Sequence, residues 1–349
     1  MPAARWRPAR GWWALGVCPG SSDLSASVAE FPLAQTPPGY GADPYAFKVR
    51  GRPRRRVVLL RGLAVAIAAA AGAAWIGTTF STAGTGTPRL RFRHVILIVF
   101  ENHEAAEVLG NSNAPTFNRL ATRYATITNY TAVAHPSLPN YLALVSGSTQ
   151  GIDSDCTECV VSGRSLADTL ETSKKTWKTY AEGLPHTGFT GASSGRYTKH
   201  HNPLLYFRWN LTRARLRRIV PLKQFLPDLR RRRLPAFSLV VPDKCHDMHD
   251  CSVATGDAWL RAFVKPLFRG SVLKDSVVFI VFDEGTTDSG GGGHVAALAL
   301  GPLVRPDTRA TAAANHYALL RMIEEGLRLP LLGRSNGARP ITGIWRTGR

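Results

Sequence analysis

Two seven-residue runs constrain this 349-residue chain more than any other feature. They are His94–Phe100 (His-Val-Ile-Leu-Ile-Val-Phe) and Ser276–Phe282 (Ser-Val-Val-Phe-Ile-Val-Phe). Nearly every position is β-branched or large and apolar, with no polar alternation, the pattern of a strand buried on both faces. Residues 235–241 and 295–301 read as further strands. Between the runs lie helical segments at 115–124, 137–145, 165–174, 255–268 and 312–327; the third opens with Ser165-x-x-Asp168, a relative of the capping box. Buried strands alternating with helices predict an α/β fold: a mostly parallel central sheet flanked by helices on both faces. A hydrophobic content of 44% supplies the core such layers need and excludes a collagen-like, coiled-coil or wholly disordered chain. Neither a repeat nor a linker interrupts residues 90–345, which read as one domain.

In open α/β sheets, ligands gather beyond the carboxyl ends of the strands. Glu101 and Asn102 follow the first run directly, and Asp283 and Glu284 follow the second. After the strand at 235–241 comes a loop holding His246, Asp247, His249 and Asp250, and four glycines with His294 precede the strand at 295. Three carboxylates (Glu101, Asp283, Glu284) with the Asn102 carbonyl are hard oxygen donors suited to a divalent cation: magnesium, calcium, manganese or zinc. Without a cation they would repel one another and hold raised pKa values. Ser137 sits between two prolines at a loop-to-helix start, where backbone N–H groups favour an anion such as phosphate. A nearby cation would lower its hydroxyl pKa and make it a nucleophile.

Six stretches, in order, carry a family resemblance. They are residues 94–102, 135–147 (His-Pro-Ser-Leu-Pro-Asn-Tyr-Leu-Ala-Leu-Val-Ser-Gly), 199–203 (Lys-His-His-Asn-Pro), 247–251 (Asp-Met-His-Asp-Cys), 282–285 (Phe-Asp-Glu-Gly) and 292–295 (Gly-Gly-His-Val). With them the chain resembles the bacterial phosphoesterase family of secreted acid phosphatases and phospholipases C, on the alkaline-phosphatase-like fold. The resemblance implies metal ligation by Glu101, Asn102, Ser137, Asp283 and Glu284, with Ser137 the residue that attacks phosphorus. It implies that His201, His249 and His294, with Asn102, contact phosphate oxygens or the leaving group, His249 or His201 protonating that group. The implied activity is a phosphomonoesterase forming a phosphoserine, with phosphatidylinositol 3-phosphate among the substrates. A phospholipase C-type phosphodiesterase and an inactive anion-binding surface protein are the alternatives.

Outside that domain, Arg52–Arg56 precede an apolar stretch from Val57 to Phe80, then small residues ending at Ala83. This order predicts export, through a cleaved signal peptide at 57–83 or an uncleaved anchor at 57–80. Residues 1–56 read as a disordered or wrongly started extension. Export agrees with the cysteines: beside Cys18, the four at 156, 159, 245 and 251 suggest two disulfides, most simply between sequence neighbours, with a four-thiolate zinc site as the alternative.

The net charge of +20, with ten Lys/Arg and three acids in residues 1–83, leaves +13 on the remainder and favours anionic partners. The densest stretch, Arg208–Arg233, is either a solvated insertion or a surface for anionic lipid. No nucleic-acid-binding motif accompanies it.

Overall fold

A computed structural model describes residues 90–269 and 271–346; the segments read as extension and signal, and Cys18, lie outside them. Eight strands form one sheet: β1 His94–Phe100, β2 Ala125–Ile127, β3 Trp177–Ala181, β4 Ile219–Pro221, β5 Phe237–Val241, β6 Ser276–Phe282, β7 Ala297–Leu300 and β8 Thr308–Ala310. Their spatial order is β8-β2-β7-β6-β1-β5-β3-β4. β1 and β6 take the positions their composition demands, side by side near the middle. Six of seven β1 residues and all of β6 are buried. At roughly 1.5–3 kcal/mol for each large apolar side chain withdrawn from water, these two strands dominate the core.

Helices α1 Pro115–Arg123, α2 Ser137–Ser146, α3 Leu166–Thr172, α4 Val253–Leu267 and α5 His316–Leu327 match the five expected helical segments. The box at Ser165 forms, its backbone N–H donating to Asp168 at 2.8 Å. Helix α5 starts later than its periodicity suggests. Asn315 caps it by accepting from the N–H groups of Tyr317 and Ala318, and Ala314–Asn315 instead pair in parallel with Tyr130–Thr131.

The sheet is parallel at every pairing except those of β7, which runs antiparallel to both β6 and β2. That reversal matters for the site. It brings the residues preceding β7, His294 included, to the edge where β1, β5 and β6 end. Both expected neighbour disulfides are present, Cys156–Cys159 and Cys245–Cys251, and these bonds replace the alternative zinc site. Among the described residues no helix is long and apolar enough to cross a membrane.

Candidate active site

Register alone brings the first two acids together. Phe100 of β1 pairs with Phe282 of β6, so Glu101 and Asp283 are the next residues on adjacent parallel strands, and the Asp283 N–H donates to the Phe100 carbonyl at 2.9 Å. Asn102 turns away in the left-handed region (φ 52°), which asparagine tolerates better than most residues. Its N–H donates to Asp283 Oδ1 at 3.3 Å. The loop after β5 folds back to the same point, where the Glu101 N–H donates to the Asp247 carbonyl at 2.9 Å.

Helix α2 brings in the serine. All ten of its residues are buried, and Ser137 is the first. The Ser137 hydroxyl lies 3.0 Å from Glu101 Oε2 and 3.0 Å from Glu284 Oε1. One hydroxyl hydrogen cannot serve two ionised carboxylates, so this contact calls for a proton or a cation between them. The approach of the serine segment depends on glycine: a side chain on Gly292 would begin 2.3 Å from the Ala134 carbonyl, and one on Gly293 (φ 96°) would meet Glu104 and Gly285. Glu104 ties these loops together by accepting from the N–H groups of Thr286, Thr287 and His294.

The electrostatics follow from burial. Glu101 and Asp283 have pKa values well above the carboxylate range, because burial penalises their charge and the neighbouring acids add repulsion. Burial raises Glu284 as well and carries Asp247 to about 7. Asn102 Oδ1, Asp283 Oδ2, Asp247 Oδ2 and His201 Nε2 are buried with no hydrogen-bond partner. Among the described residues no Lys or Arg pairs with Glu101 or Asp283, and buried unpartnered atoms in such number beside raised carboxylates form a group that could hold a divalent cation.

The likeness to known proteins agrees with this geometry. Residues 107–330 match the Phosphoesterase family. The chain belongs to that family. It is 32% identical over 297 residues to a phosphatidylinositol-3-phosphatase of Mycobacterium tuberculosis, covering 84% of this chain and 96% of that one. It is 30% identical over 256 residues to an acid phosphatase of Aspergillus fumigatus, covering 70% of this chain and 56% of that one, so it spans little more than half the fungal enzyme. A Vibrio parahaemolyticus protein of the alkaline phosphatase superfamily superposes with a TM-score of 0.52 at 14% identity, covering 76% of each chain, and shares the fold. This phosphoesterase is a hydrolase of phosphate esters.

Within the candidate site, Glu101, Asn102, Ser137, Asp283 and Glu284 come together. His201 lies with them, its Nε2 3.4 Å from Glu101 Oε1 and its ring stacked on Tyr141 at 5.3 Å. Burial, then the nearby His249, lower its pKa to about 3. His249 stands at the rim, its ring 6.1 Å from that of His201 and its Nδ1 2.7 Å from Asp250 Oδ1. His294 is turned aside: its Nε2 is bonded to the Thr128 carbonyl at 2.8 Å. His200 packs edge-on against His201, with Nδ1 2.8 Å from the Thr198 hydroxyl.

Three participants have no role in the sequence reading. Asp247 forms a group with Glu101 and His201 in which one ligating atom of each lies within 4.8 Å of the others. The Tyr141 hydroxyl donates to Glu101 Oε1, and His135 Nδ1 contacts Glu284 Oε2. The i, i+4 step from Ser137 to Tyr141 along one helix face was the available signal for the tyrosine.

Proposed function

We propose that the protein is an exported, divalent-metal-dependent phosphomonoesterase in which Ser137 attacks phosphorus and becomes a phosphoserine. The observation that carries this reading is the Ser137 hydroxyl at the start of a buried helix, 3.0 Å from carboxylate oxygens of both Glu101 and Glu284.

Glu101, Asn102, Ser137, Asp283 and Glu284 would hold the cation, since they offer hard oxygens and two of them carry buried, unpartnered acceptors. When bound, the cation neutralises the converging carboxylates, acidifies the serine hydroxyl and stabilises charge on the phosphate oxygens. Glu101 and Glu284 fix the position of the Ser137 oxygen. Tyr141, donating to Glu101, holds that carboxylate in place. The two histidines divide the remaining work. His201, neutral at mildly acidic pH, has no proton to give and serves as a neutral ligand or phosphate contact. His249 stands at the rim, with Asp250 orienting its ring, and supplies the proton to the departing alkoxide before water releases phosphate from the serine.

The phosphatidylinositol-3-phosphatase relative, matched along 96% of its length, supports phosphatidylinositol 3-phosphate as a substrate. The reading is tested by assaying the full chain, after chelation, on phosphomonoesters and phosphodiesters with each divalent cation added back. Cation-dependent turnover of monoesters is expected. A preference for phosphocholine diesters, or full activity in the chelated protein, overturns it.

A further inference from the structure

Four large apolar side chains are exposed among the described residues: Val160, Trp209, Leu211 and Leu226. The first three come from two segments held side by side. The Val161 N–H donates to the Tyr206 carbonyl at 2.8 Å, and the Arg208 N–H donates to the Val161 carbonyl at 2.9 Å. The Trp209 indole N–H reaches the Ser162 carbonyl at 3.3 Å, which fixes the ring while leaving 57% of the residue exposed. Leu211 closes the same turn, its N–H donating to the Arg208 carbonyl.

The cations of this region separate into two groups. Arg215 is bound to Asp168 and Glu171, and Arg218 lies 3.5 Å from Glu171. Those two are structural. Arg164, Arg208 and Arg213 are exposed and have no ion-pair partner among the described residues, whereas Arg217, two residues before β4, belongs to the opposite edge of the sheet. The run Arg230–Arg233 is elsewhere: it precedes β5, and Arg232 lines a cavity with Arg93 and His94 at the start of β1, so it lies at the sheet edge opposite the site. Arg208–Arg233 is therefore not one surface.

Both segments run directly from the catalytic end. The Leu138 N–H, one residue past Ser137, donates to Asp155 Oδ1 at 2.8 Å, and Val160 is five residues beyond Asp155. A five-residue stretch spans at most about 18 Å. Trp209 follows His201 by eight residues. Helix α3, whose start is packed on Asn210 through Ser165, leads into β3, which orients this corner towards the carboxyl ends of the strands.

A Trp and two aliphatic side chains, with unpaired arginines on the same two segments, match a membrane interface: the indole sits at headgroup level, the aliphatics enter the acyl boundary, and the guanidinium groups bind lipid phosphates. The geometry points to Val160, Trp209 and Leu211, with Arg164, Arg208 and Arg213, as a docking face for an anionic membrane surface, set beside the Ser137 site so that a lipid phosphate ester is presented to it. The docking itself stands on the exposed groups; its link to turnover rests on the phosphomonoesterase reading.

The test compares the full chain with W209A/L211S and R208Q/R213Q variants, on vesicles of phosphatidylcholine alone or with about one-fifth phosphatidylserine. Hydrogen exchange at residues 158–162 and 206–212 is the decisive readout, because it reports the patch even if another part of the chain holds the protein to the vesicle. Protection should appear with anionic vesicles only, weaken with salt, and be lost in both variants. Both variants should hydrolyse a soluble phosphomonoester at the parent rate but a vesicle-embedded one at least roughly tenfold more slowly. Unchanged exchange on anionic vesicles, or equal protection by neutral ones, overturns the proposal. Docking that persists while no phosphomonoester is turned over would refute the catalytic reading and leave the docking face standing.

Discussion

The Ser137 hydroxyl and the Glu101 carboxylate meet at 3.0 Å across 36 residues of chain, one at the start of a buried helix and the other at the end of a buried strand. Both elements are fixed by apolar packing, so the contact is built before any ligand arrives. Replacing the serine should therefore remove chemistry without removing structure. S137A is expected to lower kcat for phosphomonoesters by on the order of 10⁴-fold or more. Its thermal midpoint should stay at or above that of the parent, since a hydroxyl crowded by two carboxylates is lost. Steady-state kinetics beside a melting curve checks both; retained turnover would take Ser137 out of the mechanism.

The raised carboxylates fix the sign of a pH dependence. Asp247, lifted to about 7, and the strongly raised Glu101 and Asp283 hold protons in the folded chain that the unfolded chain releases near pH 4. In the chelated protein, stability should then be greatest at acidic pH and fall as pH rises from about 4 through 7. A divalent cation takes these groups in their ionised form and reverses the loss. The increase in melting temperature on adding cation to chelated protein should accordingly be larger at pH 7.5 than at pH 5. An equal increase at both would mean that these acids do not hold the ion.

How much of this was legible beforehand depends on how local each cause is. β1 and β6 are readable because six consecutive apolar residues leave no other fate, and Glu101 and Asp283 follow simply by coming next. β2, β4 and β8 have three residues each, too few to show a period, and were not foreseen. The direction of β7 is likewise invisible, since an apolar run reads the same either way. Yet that direction brings His294 to the active edge, and the Thr128 carbonyl beyond β2 then turns its ring aside. Asp247 was legible only as one of four candidates on the loop after β5: that it is the one beside Glu101 depends on how the loop returns, six residues after β5 ends.

His201 and His249 are adjacent but not equivalent, and leaving-group chemistry separates them. A poor leaving group such as an alkoxide needs a proton as it departs, whereas 4-nitrophenolate does not. H249Q should slow alkyl phosphate hydrolysis by roughly 10²–10³-fold and 4-nitrophenyl phosphate hydrolysis by about tenfold at most. H201Q, which alters a buried group 3.4 Å from Glu101, should depress both substrates by similar factors. The ratio of the two kcat values in each variant is the measurement. A leaving-group-dependent loss in H201Q instead would exchange the two roles.

The Cys245–Cys251 bond closes a small ring that contains Asp247 and His249, so it constrains two site residues at once. Asp250, also in the ring, is tied to Lys244 at 2.9 Å, and the His249 N–H is held by Asp247 Oδ1 at 2.8 Å. Opening a ring this short returns about 2 kcal/mol of chain entropy to the unfolded state. The larger effect should fall on catalysis, because the freed loop no longer fixes His249 at the rim. C245S/C251S is expected to lower the melting temperature by several degrees and to reduce kcat for alkyl phosphates by roughly tenfold or more, with a smaller loss for 4-nitrophenyl phosphate. The companion C156S/C159S variant leaves the Asp247–His249 loop intact and should retain the parent's ratio of rates on the two substrates. If the two variants shift that ratio alike, loop positioning by the Cys245–Cys251 bond is not what sets His249 in place.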